Sequence, residues 1–278
     1  MPIDVDKAEW FDDRCYRIKI DKRDHYIASV TTKLSVEDKP FLYRYYADLG
    51  WAEAKKRIRE AQDRGVRIHY AWYIYIMGGV VIYNSWRNPT YSEKQIYDLS
   101  QKHNGMIAVL PEQSEMVAMW KLQRFFEKVQ PKIVHAEKTV YSIEKDIAGT
   151  LDNAFHIQAG HYDVSGSEGL TIPTSGIYLA DLKTGNQISE SAWAQLAAYC
   201  EAFRDMGLGD PVGAFILHPG ASTKKGIKGF SVELKMMSKL QPHYEIYQHL
   251  SAVWKARNPS FGPVAFEFPS LISRNQEV

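Results

Sequence analysis

The segment between residues 176 and 218 constrains the fold more than any other part of the sequence. Gly176–Lys183 has the apolar pattern of a buried strand, and Thr184-Gly185-Asn186 is typical of a turn. Ser189–Arg204 has the spacing of a helix, and Val212–His218 has the pattern of a second apolar strand. A strand, a helix and a strand in succession build an α/β unit, so the core is predicted to be α/β.

The remaining patterns divide the chain near residue 130. Before it, one or two short strands within residues 15–30 precede mainly helical spacing, which includes a helix that starts near Phe41 and breaks at Gly65. After it, strands alternate with helices, and a helix over Pro242–Lys255 closes the chain. We expect a helical N-terminal layer in residues 1–130 and an α/β core in residues 131–278, packed as one compact unit.

The apolar strand before the turn ends in two ionisable side chains. Asp181 and Lys183 point to the same side because strand side chains alternate, whereas Leu182 points into the other layer. A carboxylate can hold a hard cation and a lysine can place a compact charge beside an attacking water, and phosphodiester hydrolysis uses both. A D-x-K pair by itself is more often a surface ion pair before a turn.

Other positions fit such a site. Asp152 lies at the end of a strand pattern and supplies a second carboxylate, and Glu137 on the preceding strand supplies a third. Gln195 and Tyr199 are four residues apart, so they share one face of the helix after the turn. An amide and a phenol there can hold water or a phosphate oxygen. Each residue alone is commonplace, and it is their order along the chain that indicates a site.

Together these motifs resemble the RecB-like branch of the PD-(D/E)XK nucleases, which includes viral exonucleases and the mitochondrial genome-maintenance exonuclease. The similar core elements are Gly149–Asp152, Asp181–Lys183 with Thr184-Gly185, and Gln195–Tyr199. In the N-terminal part, Ser29–Leu34 before a helix and the G-x-x-x-H element within Arg64–His69 are also similar. The resemblance spans about residues 29 to 204. It implies a restriction-endonuclease-like core, in which helices flank a mixed central sheet.

The resemblance also implies a metal site. Its ligands would be the side chains of His69, Asp152 and Asp181 and the backbone carbonyl of Leu182. They would hold Mg²⁺ or Mn²⁺, and two ions are expected over the scissile phosphate. Lys183 would orient or activate the attacking water.

The other motif residues would support that site. Glu137 would be an accessory acidic residue, and Gln195 and Tyr199 would position metal-bound water and the strand. Several relatives carry an iron–sulfur cluster on four cysteines. This chain has only Cys15 and Cys200, so we expect a branch without the cluster.

Charge gives little guidance on a nucleic-acid partner, because a net charge of +1 can hide a local basic groove. We expect phosphate contacts from a basic glycine-bounded loop, from basic residues near the G-x-x-x-H element and from the N-terminal motif. These residues are Lys224, Lys225, Lys228, Arg64, Arg67 and Ser29. The loop from Gly160 to Ser175 contains His161, Asp163 and Glu168, and we interpret it as a hairpin at the edge of the site rather than a second metal site.

The expected compartment is the cytoplasm. The two cysteines are far apart in sequence, which favours a reducing environment. The sequence lacks an apolar stretch long enough to span a membrane and lacks a signal-peptide pattern at its start, so no membrane partner is expected.

These observations predict a metal-dependent DNA exonuclease in DNA recombination, repair or phage DNA processing. Its partners would be single-stranded DNA or duplex ends, together with a recombination or single-strand-binding protein. Three alternatives stay open. An endonuclease of the same superfamily would cut closed circular DNA, and a catalytically silent DNA-binding module would not bind Mn²⁺. In a non-nuclease α/β protein, the motifs would coincide by chance.

Overall fold

The computed structural model describes residues 4–10, 13–20, 23–164, 169–185, 187–220 and 229–262. The strands in these ranges are β1 (Asp4–Trp10), β2 (Asp13–Ile20), β3 (Arg23–Ala28), β4 (Val80–Tyr83), β5 (Ile107–Leu110), β6 (Lys132–Ser142), β7 (Ile147–Ile157), β8 (Gly160–Tyr162), β9 (Leu170–Ile172), β10 (Gly176–Leu182), β11 (Pro211–His218) and β12 (Ser231–Met236). The helices are α1 (Val30–Leu34), α2 (Pro40–Leu49), α3 (Trp51–Ile76), α4 (Glu93–Lys102), α5 (Gln113–Val129), α6 (Glu190–Asp205) and α7 (Met237–Arg257). None of these helices is both long enough and apolar enough to cross a membrane.

The central sheet has five strands in the order β12-β11-β10-β7-β6. β10 and β11 are parallel and are connected through α6, whereas the other neighbouring strands are antiparallel. The sheet is therefore mixed, and the predicted α/β core is confirmed. The strands and helices predicted after residue 130 are present, except that the closing helix begins at Met237 and contains Pro242 in its interior.

Two hydrophobic clusters cover the two faces of this sheet. On one face α1, α6 and α7 pack around residues such as Leu179 and Phe203. On the other face α3 and α5 contribute Trp72 and Phe125. Leu182 belongs to this second cluster, so it lies in the layer opposite Leu179, as strand alternation predicts.

The N-terminal part is not purely helical. β1, β2 and β3 form an antiparallel sheet, and β4 and β5 form a short parallel pair. The one or two short strands predicted within residues 15–30 correspond to β2 and β3, and β1 was not predicted. The patterns missed β4 and β5 because four-residue apolar strands cannot be told from helical segments by periodicity. The expectation of a helical N-terminal layer is therefore incomplete.

The course of α3 corrects the predicted helix break. The break lies at Gly50, whose φ of 75° is in the left-handed region that favours glycine, and α3 continues through Gly65. A Cβ at Gly65 would lie only 2.9 Å from Thr184 Oγ1. Glycine at this position therefore allows α3 to approach the end of β10, which brings His69 beside the sheet.

Candidate functional site

Three carboxylates lie in one row across three neighbouring strands. β6 and β7 are paired on either side of Glu137 and Asp152, which places these two residues opposite each other. On the other side of β7, the pairing with β10 continues up to the residue before Asp181. The next position along each strand places Asp181 opposite Asp152. The strand register thus brings together acidic residues that are far apart in the sequence.

Glu137, Asp152 and the histidine of α3 form a candidate cation site. His69, Glu137 and Asp152 each offer a ligand atom within 4.8 Å of the others, and they are the one such group in the described part of the chain. Glu137 has a backbone φ of 47°, which non-glycine residues rarely adopt and which concentrates at active sites and ligand clamps. Carboxylate oxygens with an imidazole nitrogen are donors that bind divalent cations.

Asp152 is fixed by contacts with two other elements. Its Oδ2 accepts a hydrogen bond of 2.8 Å from the backbone N–H of Leu182 and lies 3.4 Å from Nδ1 of His69. The strands and α3 therefore converge on a single carboxylate oxygen. Coordination of a metal by the carbonyl of Leu182 stays a prediction.

Asp181 and Lys183 form an ion pair, with Lys183 Nζ 2.8 Å from Asp181 Oδ2. Burial raises the pKa of Asp181; the ammonium of Lys183 opposes this rise and the carboxylate of Asp152 adds to it. Burial alone would lower the pKa of Lys183, but the adjacent Asp181 carboxylate outweighs burial and the pKa is raised. Lys183 is therefore an ammonium ion at neutral pH.

The carboxylate of Asp181 also fits a bound cation. Its Oδ2 is buried and, among the described residues, accepts no hydrogen bond of good geometry, although Lys183 lies within ion-pair distance. A buried carboxylate oxygen with incomplete hydrogen bonding destabilises a fold unless another positive group reaches it. A divalent cation beside Asp152 would meet this requirement.

Helix α6 contributes an amide and a phenol. Lys183 Nζ donates to Gln195 Oε1 at 3.2 Å, and Gln195 Nε2 donates to the hydroxyl of Tyr199 at 3.3 Å. Tyr199 is buried, and burial raises its pKa well above the ordinary value. A Cβ at Gly149 would lie 2.3 Å from the Tyr199 ring, so the glycine of this motif leaves space for the ring.

The predicted catalytic residues line one cavity of 910 Å³. They are Asp152, Asp181, Lys183, Glu137, Gln195 and Tyr199, and His69 and Ser29 line the same cavity. The sequence patterns missed other lining residues, which include Arg14, Tyr16, Thr31, Val66, Tyr70 and Tyr73. Helical spacing from His69 could have indicated Val66 and Tyr73, and Tyr70 lies four residues after Val66. No sequence signal pointed to Arg14 or Tyr16.

Among the residues predicted to contact nucleic acid, those that the structure describes do not all line the same cavity. Lys224, Lys225 and Lys228 lie outside the described residues. Arg64 lines a separate cavity of 290 Å³, which Lys121 also lines. Contact of these residues with nucleic acid stays a prediction.

Ser29 and Arg67 have intramolecular contacts. The Ser29 hydroxyl accepts the backbone N–H of Thr32 at 3.0 Å and caps α1. Arg67 Nε donates to Oε1 of the fully buried Glu115 at 2.7 Å, which ties α3 to α5. These contacts position the elements around the cavity, and the predicted contacts of both residues with nucleic acid stay predictions.

Two further expectations concern residues that do not line the cavity. β8 and β9 pair as an antiparallel hairpin, in which His161 Nδ1 lies 3.0 Å from Thr171 Oγ1, in agreement with the interpretation of this segment as a hairpin. Glu168 of that segment lies outside the described residues. Cys15 and Cys200 are both buried free thiols.

The sequence was also compared with known proteins. No protein-family model matches the chain, and no curated protein matches it. The site is therefore described from its own residues. They belong to an α/β protein with a cavity in which carboxylates and a histidine could hold a metal ion, and a lysine lines the same cavity.

Proposed function

We propose that this chain is a metal-dependent deoxyribonuclease of the PD-(D/E)XK class. The observation that carries the proposal is the convergence of Asp152, Asp181, Lys183 and His69 from three separate elements on one cavity. The sheet is mixed, and its strand β10 is followed by helix α6, which carries Gln195 and Tyr199. This order supports the resemblance to the RecB-like branch. The cavity thus joins two carboxylates to a cationic amine, which is the combination that phosphodiester hydrolysis uses.

The proposed cofactors are two Mg²⁺ or Mn²⁺ ions. His69, Asp152 and Asp181 would hold them, and Glu137 is the adjacent acidic residue. When bound, such ions supply a Lewis acid for a phosphate oxygen and lower the pKa of water. The chain itself contributes the fixed carboxylates and the positioned amine.

Lys183 acts as a hydrogen-bond donor and counter-charge in this proposal. The adjacent carboxylate of Asp181 favours the ammonium form of Lys183, in which the amine would orient water and stabilise negative charge that develops on the phosphate. Asp181 and Gln195 hold the amine at 2.8 and 3.2 Å, and Tyr199 holds Gln195. This network fixes Nζ before substrate binds.

We further propose the exonuclease mode, with a role in DNA recombination, repair or phage DNA processing. The resemblance to the RecB-like branch supports this mode, and end-labelled linear DNA and covalently closed circular DNA distinguish it from endonuclease action. With Mg²⁺ or Mn²⁺, we expect labelled ends to be released and closed circles to persist. Cleavage of the circles would favour an endonuclease instead.

The Lys183→Ala variant tests the site itself. We expect cleavage to fall by about 100-fold or more, as for removal of one preorganised electrostatic donor, while DNA binding is largely retained. Lys102→Ala is the matched control because Lys102 is an exposed lysine of α4. Normal cleavage by Lys183→Ala would show that the site is wrongly assigned, and absence of cleavage by the folded wild type with either metal would refute the nuclease proposal.

A further inference from the structure

One wall of the active-site cavity is a single face of α3. Gln62, Val66, Tyr70 and Tyr73 line the cavity at intervals of three or four residues, so they lie on successive turns. His69 also lines the cavity, and its Nδ1 lies 3.4 Å from Oδ2 of Asp152. The wall therefore extends from the candidate cation site along the helix.

This wall exposes apolar and aromatic surface. Val66 is 69% exposed and Tyr70 is 51% exposed. The two residues lie one helical turn apart and both line the cavity. Tyr73 is partly buried and packs on the cluster formed by α3 and α5, which anchors the inner end of the wall. None of the α3 residues that line the cavity is an aspartate, a glutamate, a lysine or an arginine.

The cavity also has polar lining residues outside α3. Arg14 of β2 and Thr31 of α1 are both exposed side chains that line it. A guanidinium and a hydroxyl are groups that contact phosphate oxygens in nucleic-acid complexes. The same cavity thus combines the aromatic wall with groups that can contact phosphate, together with the carboxylates and Lys183.

We propose that Tyr70, flanked by Val66 and Tyr73, forms a stacking wall for unpaired bases, so that the site takes single-stranded DNA. Stacking of a base on an aromatic side chain contributes about 1–3 kcal/mol and tolerates any base. The cavity of 910 Å³ is in the size range of small-ligand pockets, which suits a few unpaired nucleotides. This inference rests on the proposed nuclease function and names its substrate class.

Binding without cleavage tests the inference. A short fluorescein-labelled poly(dT) strand and a blunt duplex are titrated with the full chain in EDTA, and binding is followed by fluorescence anisotropy. Tyr70→Ala should weaken binding of the single strand about tenfold, whereas Tyr70→Phe should stay within about twofold of wild type. Tyr97→Ala is the matched control, because Tyr97 is a 63% exposed tyrosine of α4 and should have no effect.

Several outcomes would overturn the stacking wall. Two concern the variants: Tyr70→Ala binds the single strand as the wild type does, or Tyr97→Ala weakens binding as much as Tyr70→Ala. Two concern the wild type: it binds the duplex as tightly as the single strand, or it binds neither probe. Matching thermal unfolding curves exclude loss of fold as the cause. Binding that depends on Tyr70 without any cleavage would retain the wall and reject the nuclease. Cleavage together with single-strand binding that Tyr70→Ala leaves unchanged would retain the nuclease and reject the wall.

Discussion

Lys33 and Lys183 each pair with an aspartate, but Lys33 is buried, in what we call the sealed pair, whereas Lys183 opens to a cavity, in what we call the open pair. Lys33 of α1 is 1% exposed and donates to both the carboxylate and the backbone carbonyl of Asp146, which is itself 26% exposed. The side chain of Lys183 is 31% exposed and lines the candidate-site cavity. Burial lowers the pKa of Lys33 to about 8 despite the opposing effect of Asp146, whereas Asp181 keeps the pKa of Lys183 raised.

The surroundings of the two pairs explain this difference. Asp146 also lies 3.0 Å from Lys255 Nζ, and its carbonyl accepts the Tyr247 hydroxyl at 3.0 Å, so the cluster ties α1 and α7 to the turn between β6 and β7. Lys183 instead lies beside Asp181, with the carboxylate of Asp152 nearby. A sealed pair serves the fold, whereas an open pair with excess negative charge is available to a cation and a substrate.

The largest expected effect is on the open pair. Asp181→Asn should reduce cleavage by about 100-fold or more, because it removes a carboxylate of the proposed metal site. Its unfolding free energy at pH 7 should fall less than that of Asp146→Asn, because burial raises the pKa of Asp181 and so disfavours its charged form in the folded chain. Cleavage assays and urea denaturation measure both. Substantial destabilisation with normal activity would reverse the roles assigned to the two pairs.

The sealed pair should respond in the opposite way. Asp146→Asn leaves Lys33 buried without its carboxylate, and we expect destabilisation of about 2 kcal/mol with unchanged activity of the folded protein. Asparagine tolerates the backbone φ of 53° at this position, so the turn is retained. Lys255→Ala is the control, because the exposed pair of Lys255 should contribute less than about 1 kcal/mol. Equal effects of the two variants would show that Lys33 does not depend on Asp146.

The smallest expected effect is a pH dependence. The pKa of Lys33 is about 8 in the folded chain, against 10.5 for the free side chain. Between these values the unfolded chain keeps a proton that the folded chain releases, so stability rises with pH. Relative to Lys33→Met, the wild type should gain about 1 kcal/mol between pH 8 and pH 9. Parallel stability curves for wild type and Lys33→Met over this range would contradict the lowered pKa.

Much of the fold after residue 130 could be predicted from the sequence. Gly176–Lys183 and the helix that carries Gln195 have strong local patterns, and both elements are present. Gly65 shows where local patterns fail, because glycine usually signals a break and here provides close approach to Thr184. Likewise β4 and β5 pair with each other across the intervening α4, and a four-residue strand carries too little periodicity to reveal a distant partner.

The sequence by itself determined the chemical groups of the candidate site: the Asp–x–Lys motif at the end of an apolar strand, a preceding carboxylate, and an amide and a phenol on one helical face. Only the tertiary structure decided which groups meet. The strand register sets Glu137, Asp152 and Asp181 in one row, and the approach of α3 adds His69 and exposes Tyr70 to the cavity. The physical reason is that the direction of a side chain follows from local backbone geometry. The contacts between these residues depend instead on packing between segments far apart in the chain.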